Sequence, residues 1–124
     1  MTRYSFVLAF VLYLASSSAQ AAGFKFVEIP GDSQLQALKG AVWYPCAQPA
    51  RNLKLGPYDL AVAKDCPITG EKLPLVVISH GRGGSFLGHH DTAETLADAG
   101  FIVIGVNHPG DNAMDKSRMN DFSV

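Results

Sequence analysis

Five consecutive residues, His80-Gly81-Arg82-Gly83-Gly84, could do chemistry through their backbone. Glycine at three of four positions lets the chain take positive φ and turn successive N–H groups toward one point. Such a nest of donors can hold an anion, or the oxyanion that develops when an acyl carbonyl is attacked. The competing reading is a tight strand-to-helix turn with no ligand, and for an isolated glycine cluster that reading would prevail. The His-Gly-x-Gly-Gly order directly after an apolar run favours the donor nest. His89-His90-Asp91 invites a metal reading, but adjacent histidines at a helix start point in different directions and match no H-E-x-x-H spacing. A solvated helix entrance is expected there, and no metal or cofactor.

The elements that must position this loop are legible around it. Leu75-Val76-Val77-Ile78 is a continuous apolar, β-branched run, as expected of a strand buried on both faces in a parallel sheet. Phe101 to Val106 is a second such run. About twenty residues lie between them, enough for the crossover helix that parallel pairing requires. Asp91 with Glu94 resembles a capping box, Gly100 sits where a helix C-terminal glycine belongs, and Ala93, Leu96 and Ala97 supply a narrow apolar stripe. Ligand sites in open parallel sheets gather outside the carboxyl ends of the strands. Both the 80–84 loop and Asn107-His108-Pro109-Gly110-Asp111-Asn112 fall there. His80, Gly81 and His108 are therefore candidate pocket residues, with a turn-stabilising hydrogen bond as the equal alternative for His108. Asp111 and Asn112 read as turn organisers.

SHGRGG after LVVI, a helix ending LADAGF and a strand ending NHPGDN resemble the α/β-hydrolase fold. Within it the likeness is to bacterial predicted dienelactone hydrolases and platelet-activating-factor acetylhydrolase-like enzymes. It extends over most of the chain after the leader, including the strand end Ala41-Val42-Trp43-Tyr44-Pro45. The resemblance implies hydrolysis of an ester, lactone or related acyl bond by a serine nucleophile. The loop after the third strand would give one oxyanion-hole N–H, here Arg82 or Gly83. It also implies a G-x-S-x-G elbow followed by an acid and a histidine, and none of these is present. Gly83-Gly84-Ser85-Phe86-Leu87 comes nearest, with leucine in place of the last glycine and a loop between Ser85 and the strand. Ser85 is better read as a helix-start or loop hydroxyl. Residues 22–124 are thus expected to be an incomplete α/β-hydrolase domain, an antiparallel hairpin followed by a parallel βαβ unit. Its triad would lie beyond Val124, and the chain alone would be inactive. The alternative is a non-catalytic exported module whose glycine loop holds an anion.

Upstream, Phe24 to Ile29 alternates apolar and polar side chains as a half-buried strand does. Pro30-Gly31-Asp32-Ser33 signals a turn, and Leu38 to Tyr44 reads as the returning strand of the opening hairpin. Pro45 to Pro74 is a long connection rich in turn formers. Residues 1–21 read as a signal peptide: Arg3 gives a positive start, Phe6 to Ala15 an apolar core of roughly ten residues, too short to span a bilayer comfortably, and Ala19-x-Ala21 a cleavage site. Export, periplasmic or secreted, is therefore expected, with no stable membrane anchor after cleavage. In an oxidising compartment Cys46 and Cys66 are expected to pair, because neither sits in a metal or redox motif. The net charge of −1 gives no electrostatic case for binding nucleic acid. A small acyl substrate is the expected partner.

Overall fold

The computed structural model describes residues 20–122. The expected leader lies outside them except for Gln20 and Ala21. Six strands form one mixed sheet: β1 Ala21–Ile29, β2 Leu38–Cys46, β3 Arg51–Leu55, β4 Tyr58–Lys64, β5 Leu75–Ser79 and β6 Ile102–Val106. Helix α1, His90–Asp98, joins β5 to β6. The strand order is β3-β4-β1-β2-β6-β5. β1 and β2 pair antiparallel as the opening hairpin, and β5 and β6 pair parallel across α1. The antiparallel hairpin and parallel βαβ unit expected from the sequence are both present.

Paired residues share a sheet face, so the register defines the core. Phe24, Trp43, Val103 and Val76 form one row across β1, β2, β6 and β5. α1 lies on this face, where Ala93 and Ala97 are fully buried against Phe24, Trp43 and Val103. Alanine at both positions lets the helix axis come close to the Trp43 ring, which meets Phe24 edge-on at 5.3 Å between centroids. The helix closes as the sequence predicts, with N–H groups of Gly100 and Phe101 on the carbonyls of Ala97 and Leu96. Its start differs. The N-cap is His89, which makes no side-chain cap. Glu94 reaches back to His90 Nδ1 at 3.0 Å and Asp91 takes the Thr92 N–H, so no capping box forms.

Two further expectations are corrected. The connection from Pro45 to Pro74 contains the β3–β4 hairpin, with Leu55 opposite Tyr58 around a two-residue Gly56-Pro57 turn. Gly56 at φ +57° is the residue a type II′ hairpin requires at that place. β4 then lies parallel to β1, with Val62 opposite Ala22. The segment sends Leu60 and Val62 into the core, a period-two signal hidden by the neighbouring turn formers. The second correction concerns β5. It is an edge strand, and its Leu75 and Val77 side chains are each 63% exposed on the face opposite α1. No described helix covers that face.

Cys46 and Cys66 form a disulfide, Cα–Cα 6.4 Å, tying the end of β2 to the segment after β4. Both are buried with Val42, Tyr44 and Ala63 in a second cluster on the face away from α1. Closing this loop restricts the unfolded chain, so reduction is expected to lower stability by about 3 kcal/mol. Urea melts with and without reductant measure the difference.

Candidate functional site

β5 and β6 run parallel, so the loops that follow them emerge at the same end of the sheet. The two loops are zipped together. Phe86 N–H donates to Asn107 Oδ1 at 2.9 Å, and Ala113 N–H donates to the Gly84 carbonyl at 2.7 Å. Glycine at 105 lets the first loop cross the sheet closely, because a Cβ there would lie 3.1 Å from the Phe86 carbonyl oxygen.

Gly81 to Gly84 form a turn closed by Gly84 N–H on the Gly81 carbonyl at 2.9 Å. Gly83 has φ +66° and Arg82 does not have positive φ, which is the pattern of a type II turn with its obligatory glycine at the third position. The Gly83 N–H is already committed, donating to Asp111 Oδ1 at 2.7 Å. The N–H groups of Gly81 and Arg82 have no hydrogen-bond partner among the described residues. Of the two donors the sequence left open, Arg82 is the one available to a ligand. Its side chain is occupied elsewhere, with Nε on the Met119 carbonyl at 3.2 Å and a terminal nitrogen on Asn120 Oδ1.

His80 is buried, and both of its ring nitrogens meet protein atoms: Nδ1 the Gly81 carbonyl at 2.7 Å, Nε2 the His108 N–H at 3.1 Å. Both polar atoms of the ring proposed for the pocket are thus engaged within the protein. The His108 ring stacks on it at 4.0 Å between centroids, and His108 Nε2 lies 2.8 Å from Ser79 Oγ. Ser85 Oγ accepts the Leu87 N–H, as a loop hydroxyl does. His90 Nδ1 meets Glu94 Oε1 at 3.0 Å, and its ring meets the Tyr58 ring edge-on.

Asn112 and Asp115 brace the second loop. Asn112 is buried, donating to the His108 carbonyl at 2.7 Å and accepting from the N–H groups of Met114 and Asp115. The Ser117 N–H, with help from the Ser117 side chain and the Gly110 N–H, holds the Asp115 carboxyl below its ordinary pKa. Beside this frame, between the β1–β2 turn and Pro109, lies a groove of about 780 Å³ whose apolar walls include Phe26, Phe86 and Met114.

A family model for platelet-activating factor acetylhydrolase, isoform II, matches residues 12–122. The chain belongs to this family. Among solved structures it is similar to a ferulic acid esterase from Streptomyces cinnamoneus, with 20% identity and a TM-score of 0.59 over 79% of this chain. That likeness is one of fold, and the chain spans 36% of the esterase's length. No curated protein matches it. The six-stranded sheet is accordingly the N-terminal portion of an α/β-hydrolase sheet.

In this acetylhydrolase-family chain the sequence singled out the 80–84 loop and did not show what holds it in place. Ser79 and Asp111 lie within the runs SHGRGG and NHPGDN, and Asp111 reads as a turn organiser, but only their placement at the ends of neighbouring strands shows that Ser79 meets His108 and that Asp111 takes the Gly83 N–H. Gly84 is equally specific to the packing. A Cβ there would lie 2.9 Å from the Gly81 carbonyl oxygen and 3.1 Å from His80 Cβ. Gly84→Ala is expected to cost about 1–3 kcal/mol through overpacking, read as a lowered midpoint in chemical denaturation.

Proposed function

We propose that this protein is an exported hydrolase of an ester, lactone or related acyl bond, working by nucleophilic serine catalysis. The observation that carries the reading is the turn after β5, which leaves the Arg82 N–H uncommitted at the carboxyl end of a hydrolase sheet. In this reading a serine in an elbow outside residues 20–122 attacks the acyl carbonyl. A histidine takes its proton, oriented by an acid, and the carbonyl oxygen becomes an oxyanion. The Arg82 N–H donates to that oxygen together with the N–H of the residue after the nucleophile. A preorganised donor of this kind is worth about 10²–10³ in kcat. The occupied Gly83 N–H speaks against the alternative, an anion-holding module, because a carboxylate of the chain itself already fills that half of the nest. Membership of an acetylhydrolase family and the fold of an esterase support the reaction class, and a buried disulfide suits an oxidising compartment.

The test is to purify the natural gene product from the exported fraction, treat it with a fluorophosphonate and map the adduct. The expected result is hydrolysis of a short-chain p-nitrophenyl ester, a mature N-terminus at Ala22, and label on a serine in a G-x-S-x-G segment. Absence of both hydrolysis and label would overturn the enzymatic reading, and label on Ser79 or Ser85 would relocate the nucleophile to the end of β5 or the loop that follows it.

A further inference from the structure

The Gly81 carbonyl and the Arg82 N–H belong to one peptide unit, which is planar and trans. Whatever fixes the direction of the carbonyl therefore fixes the direction of the N–H on the opposite side. Two donors hold this carbonyl: the Gly84 N–H at 2.9 Å and the His80 ring at 2.7 Å. The ring's role is set by its partners. A carbonyl only accepts, so Nδ1 must carry a proton; a backbone N–H only donates, so Nε2 must offer its lone pair to His108. Only the neutral Nδ1–H tautomer satisfies both.

His108 in turn holds His80 in place. It supplies the N–H to Nε2, stacks its own ring on the His80 ring, and hydrogen-bonds through Nε2 to Ser79 Oγ, the residue before His80. Asn112 secures the His108 carbonyl from the far side. The loop after β6 thus grips the residues that lead into the turn, and Gly84 keeps the space beside the His80 ring clear.

We propose that His80, locked as its Nδ1–H tautomer by His108, is a positioning residue that aims the Arg82 N–H. Its catalytic meaning rests on the ester-hydrolase reading, whereas the clamp is a property of the fold and can be tested without turnover. Nitrogen-15 NMR of the histidine rings in the full chain is expected to show His80 protonated at Nδ1 and bare at Nε2 at neutral pH. His80→Leu removes both ring functions and is expected to shift the Arg82 amide resonance and expose the His108 N–H to hydrogen exchange. His80→Asn keeps a donor near the Nδ1 position, so it should return the Arg82 resonance toward wild type while leaving the His108 N–H exposed. In the active natural product, His80→Leu should lower kcat with KM little changed, by no more than the roughly 10²–10³-fold that loss of a donor costs, and His80→Asn should recover part of it. A proton on Nε2 in the wild-type chain, or a folded His80→Leu with an unmoved Arg82 resonance and unchanged kcat, would overturn the proposal. A wild-type protein that shows the tautomer but hydrolyses no ester would instead count against the hydrolase reading and leave the clamp standing.

Discussion

Arg82→Pro in the natural gene product is expected to lower kcat for the proposed acyl-ester hydrolysis by about 10²–10³-fold, while Arg82→Ala leaves it near the wild-type value. The contrast separates backbone from side chain. Proline deletes the N–H and keeps the chain direction, because Arg82 occupies the second position of the turn, where a φ near −60° is required and proline is favoured. No internal hydrogen bond is lost, since this N–H has no partner among the described residues. Alanine retains the N–H and removes only the guanidinium contacts to Met119 and Asn120. Those contacts are at the surface and contribute little. Steady-state kinetics on a p-nitrophenyl ester, with circular-dichroism melts as the folding control, reads the result. Equal kcat in the two variants would take the Arg82 N–H out of the oxyanion hole. The donor from this loop would then have to be another N–H, that of Gly81 or, once Asp111 releases it, that of Gly83.

The strand and turn that build that loop were legible because they depend on local rules. A buried-type run followed by glycines specifies a strand and a turn whatever the rest of the fold does. The choice between Arg82 and Gly83 was not legible, because it is made by the Asp111 carboxylate twenty-eight residues further on. His80 shows the same limit. A histidine beside a glycine loop reads as a pocket residue, and only the fold reveals that one ring nitrogen meets its own loop at the Gly81 carbonyl and the other the His108 N–H of the loop after β6. β3 and β4 were hidden for a different reason. Gly56-Pro57 is a loop signal in isolation, and it becomes a hairpin turn only when Leu53 and Leu60 find each other across it. For β5, periodicity reported apolar residues on both faces correctly but could not report which face is covered. Val76 and Ile78 pack against the α1-side core, whereas Leu75 and Val77 stand exposed.

The sheet face away from α1 sets the second large effect. Gly23 on β1 lies opposite Tyr44 on β2, and a Cβ at position 23 would sit 2.3 Å from Tyr44 Cε2 and 2.9 Å from Cys66 Sγ. Neither neighbour can give way. Tyr44 is buried, and its hydroxyl donates to the Cys66 carbonyl at 2.8 Å. Burial, with Asp65 nearby, pushes the Tyr44 pKa above its ordinary value, so the hydroxyl stays neutral and keeps its donor proton through neutral pH. Cys66 is fixed by the disulfide. Gly23→Ala must therefore displace the ring and break a buried hydrogen bond, at a combined cost of about 3–5 kcal/mol. Against a total stability of roughly 5–15 kcal/mol, this removes a large fraction of the margin. At about 4–8 °C per kcal/mol for a domain of this size, the melting temperature should fall by at least about 12 °C. Gly81→Ala provides the control, since a Cβ there meets nothing within 4 Å and its φ is not positive; its melting temperature should stay close to wild type. If the ring is the obstacle, adding Tyr44→Leu to Gly23→Ala should cost less than the two substitutions do separately, with a coupling of about 0.5–3 kcal/mol. Strict additivity would mean that β1 shifts as a whole and that the Tyr44 ring does not set the spacing of the hairpin.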